Sequence, residues 1–108
     1  MEQIYNKLVR DNIPTIISNN GETPITRILS NDEYKQELEK KLYEEYQEVL
    51  NTTNSSDRIE ELADMLEIII SLAKLENKSL NDVIEIAKIK IEKRGGFEEK
   101  IYLEKVIK

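Results

Sequence analysis

A chain of 108 residues has room for one domain, and with 39% hydrophobic and 35% charged residues its core must be assembled from narrow apolar stripes. A formal net charge of −6 and a pI near 4.8 argue against a nucleic-acid backbone or an anionic membrane as the main partner. The absence of cysteine and histidine excludes disulfides, thiolate metal sites, cysteine nucleophiles and the commonest general base, so any catalysis must run on carboxylates, Lys, Arg, Tyr or hydroxyls.

Met1 to Arg10 carries charges among its apolar residues and lacks the apolar stretch of a signal peptide. No apolar run anywhere approaches about 18 residues, and the expectation is a soluble, cytoplasmic protein. After NKLVRDNIP, Pro14 could sit in the first turn of a short helix, which Asn19, Asn20 and Gly21 would end. Thr23 to Leu29 then reads as a short extended segment with Ile and Thr at roughly alternating positions.

Ser30 with Glu33 matches a capping box and opens a run free of Gly and Pro through Leu50, which predicts a first long helix. Asn51 to Ser56 is a polar loop, and Asp57 with Glu60 marks the start of a second helix. Asn77 and Lys78 make a turn, and Ser79 with Asp82 caps a third helix that stops at Gly95 and Gly96. The tail has Ile101 and Leu103 spaced as an extended segment, which could pair residues 100–106 with 24–29 in a two-stranded ribbon. The expected fold is therefore all-α, a bundle of three main helices plus a short N-terminal one, with that ribbon as its one strand pair.

Some carboxylates fall on the wrong face of these helices. At about 100° per residue the apolar stripe of the first long helix is Tyr34, Leu38, Leu42, Tyr46 and Val49, and Glu45 projects inside it. Glu48 lies one turn on at the stripe's edge, whereas Glu44 points toward solvent. In the second helix Glu61 projects between Ile68 and Leu72 and Asp64 sits at the margin beside Leu75, while Glu60 and Glu67 lie further toward the polar side.

A carboxylate on an apolar face costs several kcal/mol, to order of magnitude, unless it is protonated, paired or bound to a cation. If the two helices pack antiparallel, Glu45, Glu48, Glu61 and Asp64 converge on one point. Hard oxygen donors without His or Cys suit Mg²⁺, with Mn²⁺ as a substitute, and Mg²⁺ commonly bridges carboxylates to phosphates. Against this stands the common case in which acidic helix faces are simply solvated.

The combination of EEYQEV, twelve intervening residues and EELADMLEII, flanked by NKLVRDNIP and KIEKRGGFEEKIYL, resembles the MazG-like all-α nucleoside triphosphate pyrophosphohydrolases and the related phosphoribosyl-ATP pyrophosphohydrolases. The resemblance extends over most of the chain and implies a single domain over residues 1–108. It implies that Glu45, Glu48, Glu61 and Asp64 ligate Mg²⁺ and that water attacks between the α and β phosphates, giving a monophosphate and pyrophosphate. Glu45 or Glu48 could also orient or deprotonate the water. Such chemistry needs charge neutralisation and positioning more than a covalent nucleophile, so the missing histidine is no objection.

Candidates to complete a phosphate site are Lys90, Lys93 and Arg94 at the end of the third helix and Lys41 on the metal side of the first. The basic trio would equally complement a helix C-terminus. Lys7, Arg10 and Asp11 in the opening motif, with Glu67, could touch substrate, brace the fold or meet a second subunit. Tyr34, Tyr46 and Ile13 are candidates for base recognition, though core packing accounts for them as well. The long stripes of so short a chain predict a homo-oligomer, a dimer before a tetramer. The expected function is house-cleaning hydrolysis of a (deoxy)nucleoside triphosphate. The alternatives are phosphoribosyl-ATP hydrolysis in histidine biosynthesis and a non-catalytic helical module that binds a partner protein.

Overall fold

The computed structural model describes residues Met1–Lys108 as four α-helices without strands. They are α1 (Ile13–Asn19), α2 (Asn31–Leu50), α3 (Ser55–Leu75) and α4 (Leu80–Arg94). Pro14 stands in the first turn of α1, where its missing N–H has no helical partner to lose. Gly21, with φ 84°, takes the left-handed conformation just beyond the helix end.

Local hydrogen bonds set the helix boundaries. At α2 the Ser30 hydroxyl accepts from the Glu33 N–H at 3.2 Å, and the Glu33 carboxylate accepts from the Ser30 N–H at 3.2 Å, completing the capping box. Ser79 and Asp82 do the same for α4, which ends at Gly95 with φ 81°. Between them Asn77, with φ 59°, makes the turn out of α3. The start of α3 differs from expectation. Its cap is Asn54, whose side chain accepts from the Asp57 N–H at 2.8 Å, and Asp57 lies inside the first turn. Asn54 is as good a cap as Asp57 and stands three residues earlier, so capping there extends the helical hydrogen bonding by almost a turn.

The extended ribbon is a second correction. Residues 24–29 and 100–106 form no strand. An isolated strand pair is marginal in water, and of the two segments only Pro24 and Leu29 are half-buried. Ile25, Ile28, Ile101 and Leu103 are all well exposed.

The four-residue loop 51–54 folds α3 back along α2 as an antiparallel hairpin, the main helix contact of the molecule. Leu38 and Val49 of α2 are the buried residues of that seam. Arg58 closes its end by donating to the Val49 carbonyl at 3.2 Å. Tyr34 and Leu42 are half-buried in line with them, but Tyr46 is exposed, its ring tilted against Tyr43 at 6.4 Å. A phenol at the stripe's edge can stay wet while its ring packs on a neighbour.

Beyond the hairpin the chain is open. Helix α4 touches α3 alone, and α1 packs against no other helix. The radius of gyration is 18.8 Å, where a compact chain of this length has about 13 Å. The accessible surface is 10181 Å², where a compact monomer of this mass exposes about 6,200 Å². Ile84, Ile86, Ile89 and Ile91 of α4 are among the residues left uncovered. No helix is long and apolar enough to cross a membrane.

Ser30→Ala removes the cap of α2 and should lower the stability of the hairpin by about 1 kcal/mol, read as a fall in the circular-dichroism melting temperature. The same cap carries a pH signature. Arg27 and the Ser30 N–H hold the Glu33 carboxyl down at about 2, from an ordinary 4.5. Because this folded value is depressed, the contribution is whole above pH 4.5 and is lost as the pH falls toward 2. The melting temperature of the wild-type chain should therefore fall over that interval, and that of Glu33→Gln should fall less.

Candidate metal centre

Helices α2 and α3 bring Glu45, Glu61 and Asp64 together. Each offers one carboxylate oxygen, and these oxygens lie within 4.8 Å of one another. All three residues are half-buried, in contrast to Glu44, Glu48, Glu60 and Glu67, which are exposed. The helical phase explains the split, because a residue inside an apolar stripe is carried to the helix seam whatever its charge.

The electrostatics follow from that placement. Burial, a side-chain hydrogen bond with Glu61, and the charges of Asp64 and Glu61 push the Glu45 carboxyl above its usual range, while Lys41 works against them. The cluster thus concentrates more negative charge than Lys41 offsets. All donors are hard oxygens on a half-open surface, and this set fits Mg²⁺ or Mn²⁺ and not a thiolate- or imidazole-loving metal.

Glu48 stands one turn beyond Glu45 and outside the three-oxygen cluster. Asp64 has a second partner, since Arg10 donates through Nη2 to Asp64 Oδ1 at 2.8 Å and through Nη1 to Glu67 Oε2. Lys7 turns instead to the ring of Tyr5, 5.5 Å from its centroid. Lys90, Lys93 and Arg94 occupy the last turns of α4, and none of them forms an ion pair with the cluster.

No described protein family matches the chain, and no solved structure does. A Mycolicibacterium smegmatis protein, described as an uncharacterized protein, is 51% identical over 43 residues. That similarity covers 40% of this chain and 44% of the relative's own length, so the chain matches less than half of it.

The pairing of Arg10 with Asp64 and Glu67 was not anticipated, although all three residues were candidates. A signal for it exists in the sequence. Asp64 and Glu67 have no Lys or Arg three or four residues away on their own helix, so a neutralising cation has to come from elsewhere in the chain.

Glu45→Gln replaces the crowded carboxylate by a neutral side chain of the same shape, and in EDTA at pH 8 it should raise the melting temperature by a few degrees. The sign follows from the upward shift. A carboxyl whose folded value is raised contributes its stability below the ordinary 4.5 and loses it as the pH rises through the folded value. The gain of the variant should accordingly vanish near pH 4, which melting curves at the two pH values would check.

Proposed function

We propose that the protein is a divalent-cation-dependent nucleotide pyrophosphohydrolase of the MazG-like kind. It would cleave a (deoxy)nucleoside triphosphate between the α and β phosphates to give a monophosphate and pyrophosphate, as cytoplasmic house-cleaning of the nucleotide pool. The observation that carries this is the convergence of Glu45, Glu61 and Asp64 from two helices within 4.8 Å, on the side of the hairpin that also carries Lys41.

Mg²⁺ held by these three carboxylates would supply neutralisation of phosphate charge and activation of water. The chain's own groups do the rest. Glu48, exposed and free of ion pairs one turn from Glu45, is suited to orient the attacking water. Lys41, close enough to act on the charge of Glu45, is suited to meet a phosphate oxygen. Lys90, Lys93 and Arg94 are unpaired cations on α4, available for the leaving pyrophosphate.

A homodimer belongs to the same proposal. The surface left open is about 4,000 Å² per chain beyond that of a compact monomer, more than enough for each chain to contribute its half of an obligate interface of roughly 2,000–5,000 Å² in total. The exposed isoleucines of α4 would lie in the interface.

Pyrophosphate release should be measured on a panel of canonical and modified nucleoside triphosphates, with phosphoribosyl-ATP alongside, in Mg²⁺ and in EDTA. Release in Mg²⁺, none in EDTA and a loss of about 100-fold in Glu45→Gln are expected. Release from phosphoribosyl-ATP alone would move the enzyme to histidine biosynthesis. No release from any compound, with melting unchanged by Mg²⁺, would leave a non-catalytic helical interaction module. Sedimentation equilibrium should give twice the 12.6 kDa of one chain, and a monomer would remove the dimer from the proposal.

A further inference from the structure

The segment before α1 reaches the helical hairpin through one polar tie, the guanidinium of Arg10. Its backbone is fixed first, because the Arg10 carbonyl accepts from the Ile13 N–H at 3.0 Å as α1 begins, and Leu8 and Val9 beside it are half-buried. From that anchor Nη2 reaches Asp64 and Nη1 reaches Glu67, two residues one turn apart on α3. Arg10 is more than half exposed, and exposed ion pairs contribute little to folding stability, so bracing the fold is a poor account of it.

We propose that Arg10 is a positioning residue for the carboxylate site, its fork fixing the orientation of Asp64 and holding Glu67 away from Glu45 and Glu61. This rests on the proposed cation role of those carboxylates. Asp64 is the shared member: it gives Oδ1 to Arg10, and a carboxylate oxygen of the same residue lies within 4.8 Å of those of Glu45 and Glu61. Asp64 therefore meets Glu45 and Glu61 in the orientation Arg10 sets. Glu67, engaged by the other Nη, stands outside the cluster although it is only one turn from Asp64. A planar guanidinium holds two carboxylates in fixed relative orientation, which the single Nζ of lysine, a point charge on a flexible stem, does not.

Arg10→Lys tests this because it keeps the charge, and hence the electrostatic balance around the cation, while removing the fork. Mn²⁺ affinity of the full chain, followed by the electron-paramagnetic-resonance signal of free Mn²⁺, is the readout, with melting in EDTA as the control for folding. The Kd for Mn²⁺ should rise roughly tenfold in Arg10→Lys, the scale on which residues that orient metal ligands act, with melting nearly unchanged. An unchanged Kd, with or without a raised KM for nucleotide, would overturn the positioning role and leave the cation site standing. A wild-type chain that takes up no Mn²⁺ would remove the site itself and the role of Arg10 with it.

Discussion

The seam between α2 and α3 has to be apolar and anionic at once, and most of the molecule follows from how that is managed. Leu38 and Val49 supply the burial, while Glu45 sits between them in sequence and faces Glu61 and Asp64 across the seam. Each pair of ionised carboxylates at such separations repels by on the order of 3 kcal/mol at the effective dielectric of a protein surface, before salt screens it. The packing on either side holds the helices together against this repulsion. That is why the hairpin needs its loop tightly closed, with Asn54 capping α3 and Arg58 gripping the Val49 carbonyl.

The hairpin alone is a small core. Leu38 and Val49 are its buried residues, and Ile68, Ile69, Ile70 and Leu72 along α3 are only half-buried, so much of the apolar area of the seam remains in water. Helix α4 nevertheless forms a full fifteen residues with isoleucines that the contact with α3 leaves about half exposed. A capping box and a glycine stop define such a helix locally, but they do not stabilise its apolar side chains in water. A further surface would be needed to cover them, and the second copy in the proposed function would supply one of the same kind.

What could be read from the sequence was what neighbours in the chain decide. The caps at Ser30 and Ser79 and the stop at Gly95 depend on residues within one turn, and they stand where the pattern put them. The distinction between Glu45 and Glu44 was equally legible, because helical phase fixes which of two adjacent residues faces the seam. Where two local solutions compete, as at the start of α3, the pattern pointed to Asp57 and the helix is capped by Asn54 instead. The ribbon drawn between residues 24–29 and 100–106 asked alternation to specify a partner, and alternation specifies only a face. The contact of Arg10 with Asp64 and Glu67 spans more than fifty residues of chain, and no local period reports such a separation.

Charge balance links these pieces. The carboxylates at the seam are relieved in two directions. On one side burial and the neighbouring carboxylates of Glu61 and Asp64 favour retention of a proton on Glu45, and on the other Arg10 neutralises part of Asp64 and Glu67. Neither relief is complete, since the proton on Glu45 is lost as the pH rises and an exposed guanidinium is largely screened by water and salt. The divalent cation of the proposed function would relieve all three carboxylates together. Its binding free energy would add to folding stability through linkage, so a hairpin weakened by repulsion would be strengthened by the cation of the proposed function. In this arrangement the strain that the sequence places at the seam and any affinity of the proposed site for a cation would have the same origin.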